Sequence, residues 1–239
     1  MNRKQILASP FRILLSLCKS IINFIYPAYC IVCNSHLKEN ERLICDSCWI
    51  QLPQIEQDFD SFKEIRSKLA DDVHFSKVFS IWEFSSPIQT AIHYLKYQNF
   101  KVLANQLGIF MAERLKKLSL PMDKTILIPV PLHKTRIRER GYNQSTLLCK
   151  VIAGETGFTY NDQTLKRIRY TQSQTKLDAM ERAKNVQNAF RVFSNEEILN
   201  KIIILVDDVI TTGSTMNECA KELMKNGAEA VYLFSIAKA

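Results

Sequence analysis

Two adjacent carboxylates follow an apolar run in the C-terminal third of the chain. Asp207 and Asp208 come directly after residues 202–206, which are all Ile, Leu or Val, the composition of a central buried strand. Ligands of parallel sheets bind at the carboxyl edge of the strands, where these two side chains would lie. Carboxylates there can face ribose hydroxyls, directly or through Mg²⁺, which prefers oxygen ligands. The pattern predicts a site for a phosphorylated sugar.

A small, hydroxyl-rich segment follows the carboxylates and runs into a predicted helix. Its members are Thr211, Thr212, Gly213, Ser214 and Thr215. Free N–H groups at a helix start, the positive end of the helix dipole and several hydroxyls together favour binding of a phosphate, and Gly213 allows close approach of the backbone. The alternative is that the carboxylates merely cap the helix, but capping needs only one such side chain.

Residues 203–215 match, class by class, the 13-residue signature of type I phosphoribosyltransferases: four apolar residues, two acids, a short variable run and Thr-Gly-Ser-Thr. The resemblance implies a ligand of the 5-phosphoribosyl pyrophosphate type, bound by the carboxylates and the Thr-Gly-Ser-Thr segment. It also implies Mg²⁺ at Asp207 and Asp208. The alternation of strands with helices from residue 125 onward agrees with the mostly parallel α/β sheet of that class.

Four cations lie within seven residues after the predicted strand 125–130. They are Lys134, Arg136, Arg138 and Arg140. The segment that carries them, 131–144, is predicted to be a loop, and type I phosphoribosyltransferases have a pyrophosphate-binding loop in this place. Guanidinium forks and ammonium groups suit a diphosphate, and they suit a nucleic-acid backbone equally well. A solvated charged loop is the remaining alternative.

A second basic segment occupies the place of the loop that closes over substrate in those enzymes. Its candidate ligand contacts are Lys166, Arg167, Arg169 and Tyr170. The three cations keep this face basic. Tyr170 could stack on a base, but an aromatic residue beside cations also serves ordinary surface packing.

Four of the seven cysteines form two C-x-x-C pairs near the N-terminus, Cys30 with Cys33 and Cys45 with Cys48, separated by 11 residues. This spacing allows two turns of the chain to bring four thiolates around one tetrahedral Zn²⁺. Four sulfur ligands leave no open coordination position, so the predicted zinc is structural. Redox chemistry and a disulfide pair are the alternatives, although thiols in this arrangement favour a metal site in a reducing compartment.

Composition and charge restrict the remaining possibilities. The chain has 239 residues, of which 46% are hydrophobic, enough for one full domain and a smaller appendage, and this excludes disorder of the whole chain. A formal net charge of +8 favours anionic partners such as nucleic acid, phosphorylated small molecules or an acidic membrane surface. The predicted organisation is an amphipathic helix at 1–26, a zinc module at 27–52, a connector at 53–76 and a phosphoribosyltransferase-like domain at 77–239.

The N-terminal helix is predicted from apolar residues at helical spacing: Leu7, Phe11, Leu14, Cys18, Ile21 and Ile25. Arg12 and Lys19 interrupt the apolar runs, so that neither a transmembrane segment nor a signal peptide is predicted. The apolar face would pack on the protein's own core or dock on a membrane surface or partner.

A four-cysteine zinc module joined to a phosphoribosyltransferase-like domain is similar to the ComF family of competence proteins. The likeness extends from about residue 20 to the end and rests on YPAYCIVCNSHL, ICDSCW, AIHYLKYQNFKVLANQLG, IPVPLHKTRIRERGYNQS, RAKNVQNAF and LVDDVITTGST. It implies a cytoplasmic protein of natural transformation that handles incoming single-stranded DNA beside the DNA-uptake machinery of the inner membrane. It also implies binding of phosphoribosyl pyrophosphate.

Two other functions stay open at the level of sequence. One is an active phosphoribosyltransferase in nucleotide salvage or modification, although no segment specifies an acceptor pocket. The other is a regulator whose affinity for DNA is switched by phosphoribosyl pyrophosphate.

Overall fold

A computed structural model describes residues 28–56, 61–69, 72–97, 101–171 and 179–239. The helix predicted over residues 1–26 lies outside the described residues. The chain divides into two compact units, residues 1–51 and residues 52–239. Within the described ranges, none of the helices has the length and apolar character needed to cross a membrane.

The N-terminal unit is organised around the cysteine pairs. Cys30 and Cys33 lie in a turn that is closed by the N–H of Asn34, which donates to the carbonyl of Cys30 at 2.9 Å. Helix α1, Asp46–Ile50, begins directly after Cys45 and carries Cys48. In the described part of this unit, the buried residues are Cys30, Cys45, Cys48 and Ile44. A metal site thus takes the place that a hydrophobic core has in a larger unit.

The C-terminal unit is built on a five-stranded sheet in which every neighbouring pair is parallel. The strands in chain order are β1 (Lys77–Glu83), β2 (Thr125–Pro129), β3 (Thr159–Tyr160), β4 (Leu165–Arg167), β5 (Phe190–Val192), β6 (Ile202–Ile210) and β7 (Ala230–Lys238). The sheet order is β1-β7-β6-β2-β3, and β4 and β5 form a separate antiparallel pair. The central strands β6 and β7 are almost continuously apolar, as expected for strands buried on both faces.

Helices cover the sheet. They are α2 (Phe62–Ser67), α3 (Ser86–Tyr97), α4 (Lys101–Lys116), α5 (Lys134–Arg140), α6 (Gln144–Thr156), α7 (Ala179–Val186) and α8 (Ser214–Lys225). Ile203 and Leu205 of β6 share a buried cluster with Leu223 of α8, and the alternation of a strand turns Ile204 and Val206 to the opposite face. Helix α6 packs on β2 and β6 and also against α4. The predicted α/β class with a parallel sheet is confirmed.

The prediction of a loop over 131–144 was wrong, because Lys134–Arg140 form helix α5. The ring Nδ1 of His133 accepts from the N–H of Thr135 at 3.3 Å and caps the start of the helix. Gly141, at φ 82, ends it, and its N–H donates to the carbonyl of Ile137 at 2.7 Å. Arg, Lys and Glu are good helix formers, and both caps are present in the sequence, but the density of charge favoured the interpretation as a loop.

Strand β4 is short and lies outside the main sheet. Leu165–Arg167 pairs with Phe190–Val192, and Arg167 faces Phe190 in the register. The two-residue strand β3 was not predicted, because two residues carry no measurable periodicity.

Candidate functional site

The two acidic residues lie where the sheet opens at its carboxyl edge. Strand β6 continues to Ile210, beyond the end expected at residue 206, but it pairs with β2 only as far as Val206 opposite Pro129. From Asp207 onward, β6 is paired with β7 alone. Asp207 and Asp208 therefore stand at the point where β2 ends, beside a cavity of about 300 Å³.

Asp207 is held in place by two donors. The hydroxyl of Ser145, in the first turn of α6, donates to Oδ1 of Asp207 at 2.9 Å, and the backbone N–H of Asp208 donates to the same oxygen at 2.9 Å. Burial and the neighbouring Asp208 carboxylate raise the pKa of Asp207 to about 7 from its ordinary 3.8. Ionisation of Asp207 is therefore unfavourable, and a cation bound beside it would favour the charged carboxylate.

Asp208 forms an ion pair with Lys96 at the end of helix α3. Burial lowers the pKa of Lys96, but the Asp208 carboxylate more than offsets this effect, so the pKa lies above its ordinary value. The hydroxyl of Tyr142 donates to the carbonyl of Leu95, which fixes the end of α3 next to the carboxylates. The ammonium group of Lys96 therefore already provides a cation at Asp208.

The hydroxyl-rich segment forms the predicted turn into a helix. Gly213 has φ 80 and precedes α8, which begins at Ser214. The hydroxyls of Thr212 and Ser214 lie 2.9 Å apart, and the N–H of Ser214 points to Oγ1 of Thr212 at 3.4 Å. All five residues from Thr211 to Thr215 line the cavity of about 300 Å³ together with Asp207 and Asp208. The structure thus brings the predicted phosphate-binding residues together around one cavity.

Gly213→Ala is expected to lower the free energy of unfolding by about 2–4 kcal/mol, the sum of left-handed backbone strain and overpacking. A Cβ at Gly213 would lie 2.6 Å from Cγ2 of Ile65 on helix α2, and its φ of 80 disfavours any side chain. Urea denaturation measures this change.

Gly141→Ala is the matched control, because Gly141 has φ 82 and a Cβ there would meet nothing within 4 Å. It should cost only the backbone strain, about 1–2 kcal/mol. Equal losses for the two variants would show that the contact between Gly213 and Ile65 does not constrain the turn.

Helix α5 divides the four predicted cations between two faces. Arg136 and Arg140, one turn apart, line the cavities beside the carboxylates, and Arg140 donates to Oε1 of the buried Gln144. Lys134 and Arg138, also one turn apart, are exposed and line neither cavity. The sequence placed all four in one group, whereas the structure separates an inner pair from an outer pair.

The second basic segment is divided in a similar way. Arg167 and Tyr170 line a cavity of about 190 Å³ that adjoins the carboxylates. Lys166 instead donates to the carbonyl of Asp162 at 2.9 Å. Arg169 donates to the carbonyls of residues 185 and 187 at 3.1 and 2.5 Å, at the end of α7. Two of the four candidate contacts therefore reach the cleft, and two hold the backbone elsewhere.

Several side chains of the site were not singled out from the sequence, among them Lys96, Ser145 and Tyr97. Lys96 had a usable signal, because it follows Ile92 by four residues and so continues the buried stripe of α3. A lysine on such a stripe needs a partner. Ser145 had no comparable signal, since a hydroxyl in the first turn of a helix is common.

The four cysteine sulfurs form a second site, in the N-terminal unit. All four Sγ atoms lie within 4.8 Å of one another, and two of the separations are 3.8 Å for Cys30–Cys48 and 3.6 Å for Cys33–Cys45. Tetrahedral zinc with Zn–S bonds of about 2.3 Å requires sulfur separations of about 3.8 Å. The backbone N–H groups of Val32 and Cys45 each point to Sγ of Cys30 at 3.4 Å. The cysteines therefore fit the structural zinc that the sequence predicts.

The thiols of this site differ in acidity. Hydrogen bonding with Ser35 lowers the pKa of Cys33 to about 6, whereas burial and the neighbouring thiols raise the pKa of Cys48. Thiolate ligands must lose their protons to bind metal. Binding of zinc is therefore coupled to proton release, from Cys48 more than from Cys33.

Comparison with known proteins bears on both units. Residues 21–59 match the family model of the double zinc ribbon domain. Competence protein F of Haemophilus influenzae is 31% identical over 224 residues, which cover 88% of this chain and 96% of that protein. The chain belongs to the family of competence protein F. The resemblance to ComF proteins predicted from the sequence is thereby confirmed.

Two further relatives match a smaller share of the chain than competence protein F does, and one of them also has a lower sequence identity. DNA utilization protein YhgH of Salmonella typhimurium is 35% identical over 170 residues, 69% of this chain and 73% of that protein. Competence protein ComFC of Bacillus subtilis is 25% identical over 202 residues, 84% of this chain and 80% of that protein.

The core of this competence protein F family member is phosphoribosyltransferase-like: a parallel α/β sheet with the hydroxyl-rich segment 211–215 at its carboxyl edge, preceded by the zinc ribbon module. Among solved structures, glutamine phosphoribosylpyrophosphate amidotransferase of B. subtilis is 17% identical, with a TM-score of 0.40, and covers 60% of this chain and 30% of that chain.

Proposed function

We propose that this protein acts in DNA uptake during natural transformation. It handles incoming single-stranded DNA on the cytoplasmic side of the inner membrane and binds phosphoribosyl pyrophosphate with Mg²⁺ in the cleft. The main observation in favour of this ligand is that the acidic pair, the hydroxyl-rich helix start and Arg140 line one cavity, while Arg136 lines the adjoining cavity together with Asp207, Asp208 and Thr215. Membership of the competence protein F family supports the process.

The acidic pair fits a magnesium ion chelated by a pyrophosphate. Asp207 and Asp208 offer hard oxygen ligands, and Asp208 already accepts a cation, the ammonium group of Lys96. Burial and the neighbouring Asp208 carboxylate raise the pKa of Asp207, and a divalent ion beside it would favour the charged form. Asp207 and Asp208 would hold the ion, which when bound supplies charge compensation for the pyrophosphate oxygens.

The two faces of α5 suit two different ligands. Arg136 and Arg140 face the cavity and suit the pyrophosphate, because guanidinium groups bind phosphate oxygens in a bidentate manner. Lys134 and Arg138 face solvent and suit the phosphates of a DNA strand. The net charge of +8 provides the long-range attraction.

Matched charge variants should separate these roles. Lys134→Gln with Arg138→Gln is expected to weaken binding of single-stranded DNA and to reduce the slope of log affinity against log salt by about 1.4, or 0.7 for each lost phosphate contact. Arg136→Gln with Arg140→Gln removes the same charge but should abolish binding of phosphoribosyl pyrophosphate, which the outer variant retains. Fluorescence anisotropy measures the affinity for single-stranded DNA, and calorimetry measures the affinity for phosphoribosyl pyrophosphate.

Two results would contradict the division. In one, both double variants lose both ligands to the same extent, as a general charge effect would require. In the other, binding of single-stranded DNA by the unaltered protein does not weaken with rising salt.

A further inference from the structure

Two exposed tyrosines line the cavity beyond the carboxylates. Tyr97, at the end of α3, is 63% exposed, and Tyr170, after β4, is 46% exposed. The sequence did not single out Tyr97, and it indicated Tyr170 only as a candidate ligand contact in the second basic segment. Exposed rings at a cavity bordered by arginines offer flat apolar faces on which a ligand can stack.

Each ring has an arginine of α5 over it. Cζ of Arg140 lies 5.1 Å from the ring centroid of Tyr97, and Cζ of Arg136 lies 5.8 Å from that of Tyr170. Both distances are within the range of a cation–π interaction. Because Arg136 and Arg140 are one helical turn apart, α5 presents its inner face to both rings at once.

A histidine supports each ring as well. The ring centroids of His93 and Tyr97 are 5.1 Å apart, and those of His133 and Tyr170 are 5.4 Å apart. The two tyrosines are therefore held in defined orientations and still remain substantially exposed. Preorganised rings of this kind lose little conformational entropy when they bind a flat ligand.

The tyrosines and the phosphate site share one cleft. The cavity of about 190 Å³ that contains both rings is also lined by Asp207, Asp208 and Thr215, which line the cavity of about 300 Å³ as well. We call the region lined by Tyr97 and Tyr170 the aromatic part of the cleft. A ligand bound there would lie next to Asp207, Asp208 and Thr215. An uncharged apolar ligand is a poor match for walls that include Arg136, Arg140 and Arg167.

We propose that the aromatic part of the cleft binds one base of a single DNA strand, stacked on Tyr97 and Tyr170. A nucleobase supplies a flat π-surface for the rings, and its attached phosphates suit the arginines. The proposal rests on the proposed function, and it adds the place where the strand meets the ribose-phosphate site. The unpaired strand is required because a base in a duplex is stacked and inaccessible to the rings.

The test compares an oligothymidylate with a strand of equal length in which every thymine is replaced by an abasic unit. The two strands have the same phosphates, so a difference in affinity reports on the bases. The unaltered protein should prefer the oligothymidylate by roughly 10- to 100-fold, the range that corresponds to stacking of a base on aromatic rings. Fluorescence anisotropy at constant salt measures both affinities in full-length protein.

Variants locate the preference. In the double variant Tyr97→Leu with Tyr170→Leu, the ratio of the affinities for the two strands should fall close to one. The double variant Tyr97→Phe with Tyr170→Phe retains the rings and should retain the preference. Tyr160→Leu is the matched control, because Tyr160 is an exposed tyrosine, 38% exposed, on the edge strand β3. Thermal unfolding confirms that each variant is folded.

The outcomes separate this inference from the proposed function. If the unaltered protein binds both strands equally, or if the leucine variant keeps the preference, the base subsite is wrong while DNA binding stands. If the unaltered protein binds neither strand, the role in DNA handling fails. Calorimetry with phosphoribosyl pyrophosphate and Mg²⁺ on the same preparation tests the phosphate site independently of either strand.

Discussion

Asp207→Asn is expected to abolish magnesium-dependent binding of phosphoribosyl pyrophosphate and, at the same time, to stabilise the ligand-free protein. Loss of binding follows because the amide carries no charge for the metal. Gain of stability follows because burial and Asp208 raise the pKa of Asp207 to about 7. Asparagine removes this repulsion, and its side-chain oxygen can still accept from Ser145.

The pH dependence fixes the sign of the stability change. The folded state holds the proton of Asp207 up to about pH 7, whereas the ordinary pKa is 3.8. Between these values the folded state binds more protons than the unfolded state, so this group makes stability fall as pH rises. At pH 8, Asp207→Asn should raise the free energy of unfolding by about 2 kcal/mol, less than the full shift implies because burial of the amide also has a desolvation cost. The gain should vanish near pH 4.

Asp208→Asn should change the stability in the opposite direction. It should also abolish ligand binding, but it leaves the ammonium of Lys96 without its ionic partner and should therefore destabilise the protein by about 1–3 kcal/mol. Denaturant unfolding of both variants at pH 4 and pH 8 measures the contrast. Stability changes of the same sign at pH 8 would mean that the two carboxylates are not in the different environments described above.

Removal of zinc is expected to unfold the described part of the N-terminal unit. Three buried cysteines and Ile44 provide too little apolar surface to fold residues 28–51 alone. Binding of structural zinc contributes on the order of 10 kcal/mol at neutral pH in comparable modules, and this free energy is also folding free energy. A strong chelator, or Cys48→Ser, should therefore remove protection from amide hydrogen exchange across these residues.

Ser47→Ala provides the control for this experiment. Ser47 is exposed and precedes Cys48 in α1, so its replacement leaves the ligand set intact. It should retain one zinc per chain in metal analysis, and its hydrogen exchange should match that of the unaltered protein. Undiminished protection of residues 28–51 after complete loss of zinc would refute a structural role for the metal.

The sequence predicts those parts of the site whose chemistry is local. The predicted phosphate-binding residues form one continuous segment from Asp207 to Thr215, and its backbone turn and helix start are encoded in neighbouring residues. The cysteine pairs are likewise close in sequence, and their spacing limits the geometry. Both predictions depended on residue type and spacing alone.

Other parts depend on contacts between distant segments. Lys96 meets Asp208 from more than a hundred positions away, and Ser145 reaches Asp207 across 62 positions. No pattern within a short stretch of sequence predicts contacts between residues so far apart. The two faces of α5 were hidden for a different reason, because the caps at His133 and Gly141 were not recognised and the inner and outer pairs cannot be separated in a loop.

Calorimetric titration of phosphoribosyl pyrophosphate into the full-length protein tests the central claim most directly. With Mg²⁺ present, the account predicts saturable binding of one ligand per chain, a large loss of affinity when Mg²⁺ is chelated under conditions that retain zinc, and no binding to the Asp207→Asn variant. Binding that is unchanged in that variant, or the absence of binding by zinc-loaded protein in the presence of Mg²⁺, would contradict it.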